Sequence, residues 1–106
     1  MTETFGLSPT DLNRIRSVFA RFPGVSRVLI YGSRAKGTHR PASDIDLTIT
    51  NTLDWETFTQ IESELDELLL PYQIDLSLFS QIDNPKLIDH IKRVGQSFYQ
   101  AEATGR

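Results

Sequence analysis

A chain of 106 residues has the length of one domain with one modest core, and 39% hydrophobic with 24% charged residues is the balance of a globular rather than a disordered chain. The formal net charge of -3 argues against a nonspecific grip on nucleic acid, so direct nucleic-acid binding is not expected and any bound polyanion needs a local basic loop or a cation. Cysteine is absent, which excludes disulfides and thiolate metal sites and suits a cytoplasmic location, and no apolar run is long enough for a membrane span or a signal segment.

Met1 to Gly6 reads as a loose start. Ser8-Pro9-Thr10-Asp11 then carries a helix-start signature: Ser8 caps, Pro9 fits the first helical position, and Asp11 stands where a capping acid stands. Leu12, Ile15, Val18, Phe19 and Phe22 recur at helical spacing until Pro23-Gly24 ends the helix. Val28 to Tyr31 is a short β-type run stopped by Gly32. From Asp44 to Ile49, Ile45, Leu47 and Ile49 alternate with Asp44, Asp46 and Thr48, which is the period-two pattern of a strand. Asp54 reads as the cap of a helix carrying Trp55, Phe58, Ile61, Leu65, Leu68 and Leu69, closed by Pro71, with Trp55 at the rim of the core. Gln73 to Phe79 alternates again, with Asp75 and Ser77 opposite Ile74, Leu76 and Leu78. Asn84-Pro85 opens a last helix whose Leu87, Ile88, Ile91, Val94 and Phe98 face inward, and Ala101 to Arg106 reads as a frayed end. The expectation is an α/β (α+β) domain over residues 1–106, a small mixed sheet with helices packed on it.

Both later strands place acids on the face opposite their aliphatic residues. Asp44 and Asp46, two apart on a strand, point the same way, with side chains rooted about 6 to 7 Å apart. Carboxylates held that close repel unless a cation lies between them or one is protonated. Oxygen-only ligands suit Mg²⁺ or Mn²⁺ rather than Zn²⁺, and Asp75 supplies a third carboxylate if its strand is a neighbour. Just upstream, Gly32-Ser33-Arg34-Ala35-Lys36-Gly37 forms a turn out of a strand. Gly32 permits the tight turn, Ser33 offers a hydroxyl and a backbone N–H to a phosphate, and Arg34, Lys36 and Arg40 give the loop the positive charge the chain lacks overall. The two glycines do not make a P-loop, which demands Lys and Ser/Thr where Thr38-His39 stands. His39 and His90 lack metal-type spacing and read as surface residues, and Tyr31 reads as packed rather than reactive.

The run Ile30-Tyr31-Gly32-Ser33-Arg34-Ala35-Lys36-Gly37, then Ser43-Asp44-Ile45-Asp46-Leu47, then a lone Asp75, resembles the DNA polymerase β-type nucleotidyltransferase superfamily. It is most similar to the minimal nucleotidyltransferases of bacteria and archaea, and the likeness extends roughly from Leu12 to Gln100. The resemblance implies a nucleotidyltransferase fold in which Gly32 and Ser33 hold a triphosphate, with Arg34 and Lys36 in the basic loop. It implies two Mg²⁺ ions at Asp44 and Asp46, with Mn²⁺ a possible substitute, and Asp75 completing the metal site and activating the acceptor hydroxyl. Many members resemble antitoxins encoded beside a helical toxin of the higher eukaryotes and prokaryotes nucleotide-binding (HEPN) type, and in some pairs AMP is added to a tyrosine of the toxin. The expected function is therefore transfer of a nucleoside monophosphate, AMP from ATP, to such a partner. The alternative is a non-catalytic antitoxin that neutralises its partner by occlusion. Three mutually repelling carboxylates favour the enzyme, since occlusion gives no reason to keep them.

Overall fold

A computed structural model describes residues 4–101. Four strands, β1 (Arg27–Tyr31), β2 (Ile45–Ile49), β3 (Ile74–Leu78) and β4 (Gln96–Gln100), form one sheet in the order β3-β2-β1-β4. β1 is antiparallel to both β2 and β4, and β2 runs parallel to β3, so the sheet is mixed. Among the described residues four α-helices accompany it: α1 (Pro9–Ala20), the short α2 (Ser33–Lys36), α3 (Trp55–Asp66) and α4 (Pro85–Val94). No helix among the described residues is long and apolar enough to cross a membrane.

The helix starts follow from their caps. Ser8, Asp54 and Asn84 each accept a backbone N–H of the first turn, and Pro9 and Pro85 lie where a missing N–H costs nothing. One sheet face is apolar, with Val28, Ile30, Ile45, Leu47, Ile49 and Phe98 packed against Ile15, Val18 and Phe19 of α1 and Phe58, Ile61 and Leu65 of α3. The opposite face carries Leu29, Tyr31, Asp46, Thr48, Asp75 and Ser77, because side chains alternate along each strand and the register aligns Tyr31 with Asp46 and Asp46 with Asp75. α4 lies over part of this second face: Ile91 is buried there, and His90 packs edge-on against Tyr31.

Four features depart from the sequence reading. Phe98 is not on the last helix: α4 stops at Gly95, where a side chain would meet the Ile91 carbonyl, and Gln96–Gln100 pairs with β1 as an edge strand that turns Phe98 into the core. α3 ends at Asp66, and Leu69, in left-handed backbone at φ 55°, is 88% exposed rather than on the core face. Trp55 lies outside the core, 67% exposed and stacked on Phe58. The start is tied down from Thr4: its backbone bridges Leu7, which is fully buried, and Phe5 packs against Phe98. The readings on Met1–Glu3 and on 102–106 lie outside the described residues.

Candidate active site

The second sheet face brings the acids together. β2 and β3 are parallel neighbours in direct register, so Asp46 and Asp75 stand side by side with Cα atoms about 4.8 Å apart by strand spacing. Asp44 lies just before β2, exposed, and its charge reaches Asp46. Burial first, and then the charges of Asp75 and Asp44, push the Asp46 carboxyl above the usual carboxylate range. Tyr31, opposite Asp46 on β1, is also raised, by burial first and then by Asp46 and Asp75, against a hydrogen bond from Ser77 that lowers it.

Gly32 closes this face at the end of β1. It has φ 78° and ψ -156°, and a side-chain carbon there would collide with the Asp46 carboxylate. Only glycine satisfies both demands, and the turn and the central carboxylate are therefore in contact. Ser33 follows as the first residue of α2, half-buried, and Lys36 is exposed at the end of that helix.

Arg34 departs from its expected place in a phosphate-facing loop. It is 2% exposed, and its guanidinium points inward, where Nε donates to the Ser43 carbonyl at 3.1 Å and Nη1 to that of Phe5 at 2.9 Å. Nη2 donates to Ser43 and Pro41 at 2.8 and 3.2 Å, and the cation lies 4.8 Å from the Tyr72 ring centre. With four donors so engaged, Arg34 acts as a clip between the chain start, the loop leading to Asp44 and the approach to β3. It steadies the segments that bear the acids; Lys36 and Arg40 are left as the loop's exposed cations.

Two residues gain a place that the sequence reading did not give them. Tyr31 lines the acidic face as well as being packed. His90 is half-buried, and its Nε2 accepts the Gly32 N–H at 3.2 Å. No local signal reveals His90, since only the return of α4 across β1 brings it to the turn.

The donor set fits hard divalent cations, all oxygen and clustered on one face. Among the described residues, no group of three His, Cys, Asp or Glu side chains stands close enough to hold a metal ion unaided, so substrate phosphates would have to complete the coordination of any Mg²⁺ bound there. A concavity at the C-terminal end of α3, beside Asp66, Tyr72 and Leu76, lies away from the acids; on the acidic face Asp44 and Asp75 are exposed and Asp46 is half-buried.

The fold is matched by comparison with known proteins. The family profile described as polymerase beta, nucleotidyltransferase, matches residues 13–104. The chain belongs to this family. Three solved structures share the nucleotidyltransferase fold. A toxin–antitoxin complex with AMP-PNP is 21% identical, with TM-score 0.60 over 86% of this chain and 74% of that one. The toxin–antitoxin complex MntA–HepT is 18% identical, with TM-score 0.62 over 89% and 74%. A complex of tri-AMPylated Shewanella oneidensis HEPN toxin with MNT antitoxin is 20% identical, with TM-score 0.54 over 87% and 71%. No curated protein matches the chain by sequence.

Proposed function

We propose that this nucleotidyltransferase domain transfers AMP from ATP to a hydroxyl oxygen of a helical partner protein of the HEPN toxin type, with pyrophosphate leaving, as the antitoxin of a pair. The observation that carries the reading is the contact of the Gly32 turn with Asp46, itself beside Asp75. A triphosphate held at the turn then has its phosphates next to the carboxylates. Asp44, Asp46 and Asp75 would hold Mg²⁺, with Mn²⁺ as substitute. When bound, such cations neutralise the phosphates and favour ionisation of an acceptor hydroxyl. Gly32 permits close approach of phosphate to backbone, and Ser33 contributes a hydroxyl and its N–H. Asp75, at the outer strand of the site, is the carboxylate open to an incoming acceptor, and Lys36 adds an exposed positive charge near the turn. Asp44 and Asp75 are exposed, which leaves room for an acceptor presented by another protein, and the fold neighbours that come from toxin–antitoxin complexes support the choice of its class.

The test is incubation with labelled ATP, Mg²⁺ and the protein encoded by its genomic neighbour. Label should pass to the partner, stop with chelator, and fall at least about 100-fold with Asp46→Asn, the scale of loss when a group orienting reacting phosphates is removed. Neutralisation of the partner without label transfer would replace this reading with occlusion.

A further inference from the structure

We infer that His90 is a positioning residue for nucleotide transfer, setting the Gly32 turn from α4 by accepting its backbone N–H; this rests on the nucleotidyl-transfer reading above. β1 ends at Tyr31, so the Gly32 N–H lies beyond the named strand, where a half-buried amide needs another partner. His90 Nε2 provides it at 3.2 Å. Accepting that bond requires a lone pair on Nε2 and the proton on Nδ1, a tautomer assigned by the bond itself. The ring is held by its edge-on contact with Tyr31, at 6.1 Å between centres and 79° between planes, and by Ile91 next to it, which anchors α4. The carboxylate of Asp46 abuts the same glycine from another side.

The turn is thus held by two side chains from different elements. Its orientation decides where the Ser33 hydroxyl and the first N–H groups of α2 stand relative to Asp46. Without the imidazole, the Gly32 N–H loses its acceptor, and the turn keeps only the Lys36 N–H on its carbonyl and the Asp46 carboxylate to fix its donors in place. The cost falls on holding ATP, in ground and transition states alike, and so on KM more than on kcat.

Kinetics of AMP transfer to the HEPN-type partner, for the wild type, His90→Ala and His90→Gln, test this together with thermal melts and amide exchange at Gly32. His90→Ala should raise the KM for ATP about five- to tenfold, as expected for loss of one hydrogen bond, with kcat within about twofold and a melting temperature lower by no more than about 5 °C. Its Gly32 amide should exchange faster. His90→Gln, whose Oε1 can accept at a similar reach, should bring KM back to within about twofold of wild type and restore protection. A wild-type KM in His90→Ala overturns the inference. So does His90→Gln behaving like His90→Ala, or a fall in melting temperature in both variants that accounts for their activity. A wild-type protein that transfers no nucleotide would instead remove the functional reading on which the inference rests.

Discussion

At Asp46 the proposed chemistry and the stability of this domain pull in opposite directions. The folded protein holds its proton more tightly than the unfolded chain does, through burial first and then through Asp75 and Asp44. Its contribution to stability is therefore full below the ordinary carboxylate pKa of about 4 and is lost as pH rises through the raised folded value. Asp46→Asn cannot ionise and escapes that loss. The metal-free variant should match or exceed wild type at pH 7, by no more than about 1 kcal/mol because water screens a half-exposed site, with the difference vanishing in acid. Denaturant melts at pH 7 and pH 3 measure it, and a variant clearly less stable at pH 7 would mean that Asp46 makes a structural bond. Arg34 and Lys36 separate in the same assay. Arg34→Ala leaves the carbonyls of Phe5, Pro41 and Ser43 without their donor and should cost about 3 kcal/mol. Lys36→Ala, at an exposed position, should change stability by less than about 0.5 kcal/mol and act on the KM for ATP alone.

The elements differ in how far local sequence decides them. α1 and α3 carry caps and apolar periodicity that agree with their packing. The cap of α3 also titrates: hydrogen bonds from the Thr57 hydroxyl first, and then its N–H, hold Asp54 below the usual carboxylate range. That contribution is present above the ordinary carboxylate pKa and is lost as pH falls through the lowered folded value. Asp54→Asn still caps but does not titrate, so its denaturation midpoint should fall less than that of wild type between pH 4 and pH 2, as circular dichroism melts would show. β4 is the contrary case. Leu87, Ile91, Val94 and Phe98 keep helical spacing past the real end of α4, so the pattern conceals the break at Gly95. Phe98 nonetheless contacts the rings of Phe5 and Phe19, and Phe98→Ala should cost about 3 to 4 kcal/mol, read from urea midpoints. A surface helix position would lose far less.

Ligand binding joins the site to the stability of the domain as a whole. Anything that binds the folded chain and not the unfolded one raises the melting temperature by mass action. Mg²⁺ with ATP at about a hundred times its dissociation constant should stabilise wild type by about 2.7 kcal/mol, a rise on the order of 10 °C for a domain of this size. The same mixture should do much less for Asp46→Asn, and ATP with chelator should do little for either. Equal shifts in both proteins would show that Asp46 holds no metal. Since the acidic face is one side of the sheet, and α1 and α3 pack on the other, such a change at the site need not disturb the main core.

Residue order alone determined the alternation that puts Asp46 and Asp75 opposite the core, the three helix caps, and the family-bearing run from Ile30 to Leu47, because each depends on neighbours a few positions away. The tertiary structure decided the rest. Strand order made Asp46 and Asp75 adjacent, since parallel pairing of β2 with β3 depends on the path of α3 between them. Arg34 turned inward because carbonyls from two separate segments, Phe5 at the chain start and Pro41 and Ser43 in the loop before β2, were there to receive it. His90 reached the Gly32 N–H because α4 folds back over β1, a contact 58 residues apart in the chain that no local pattern encodes.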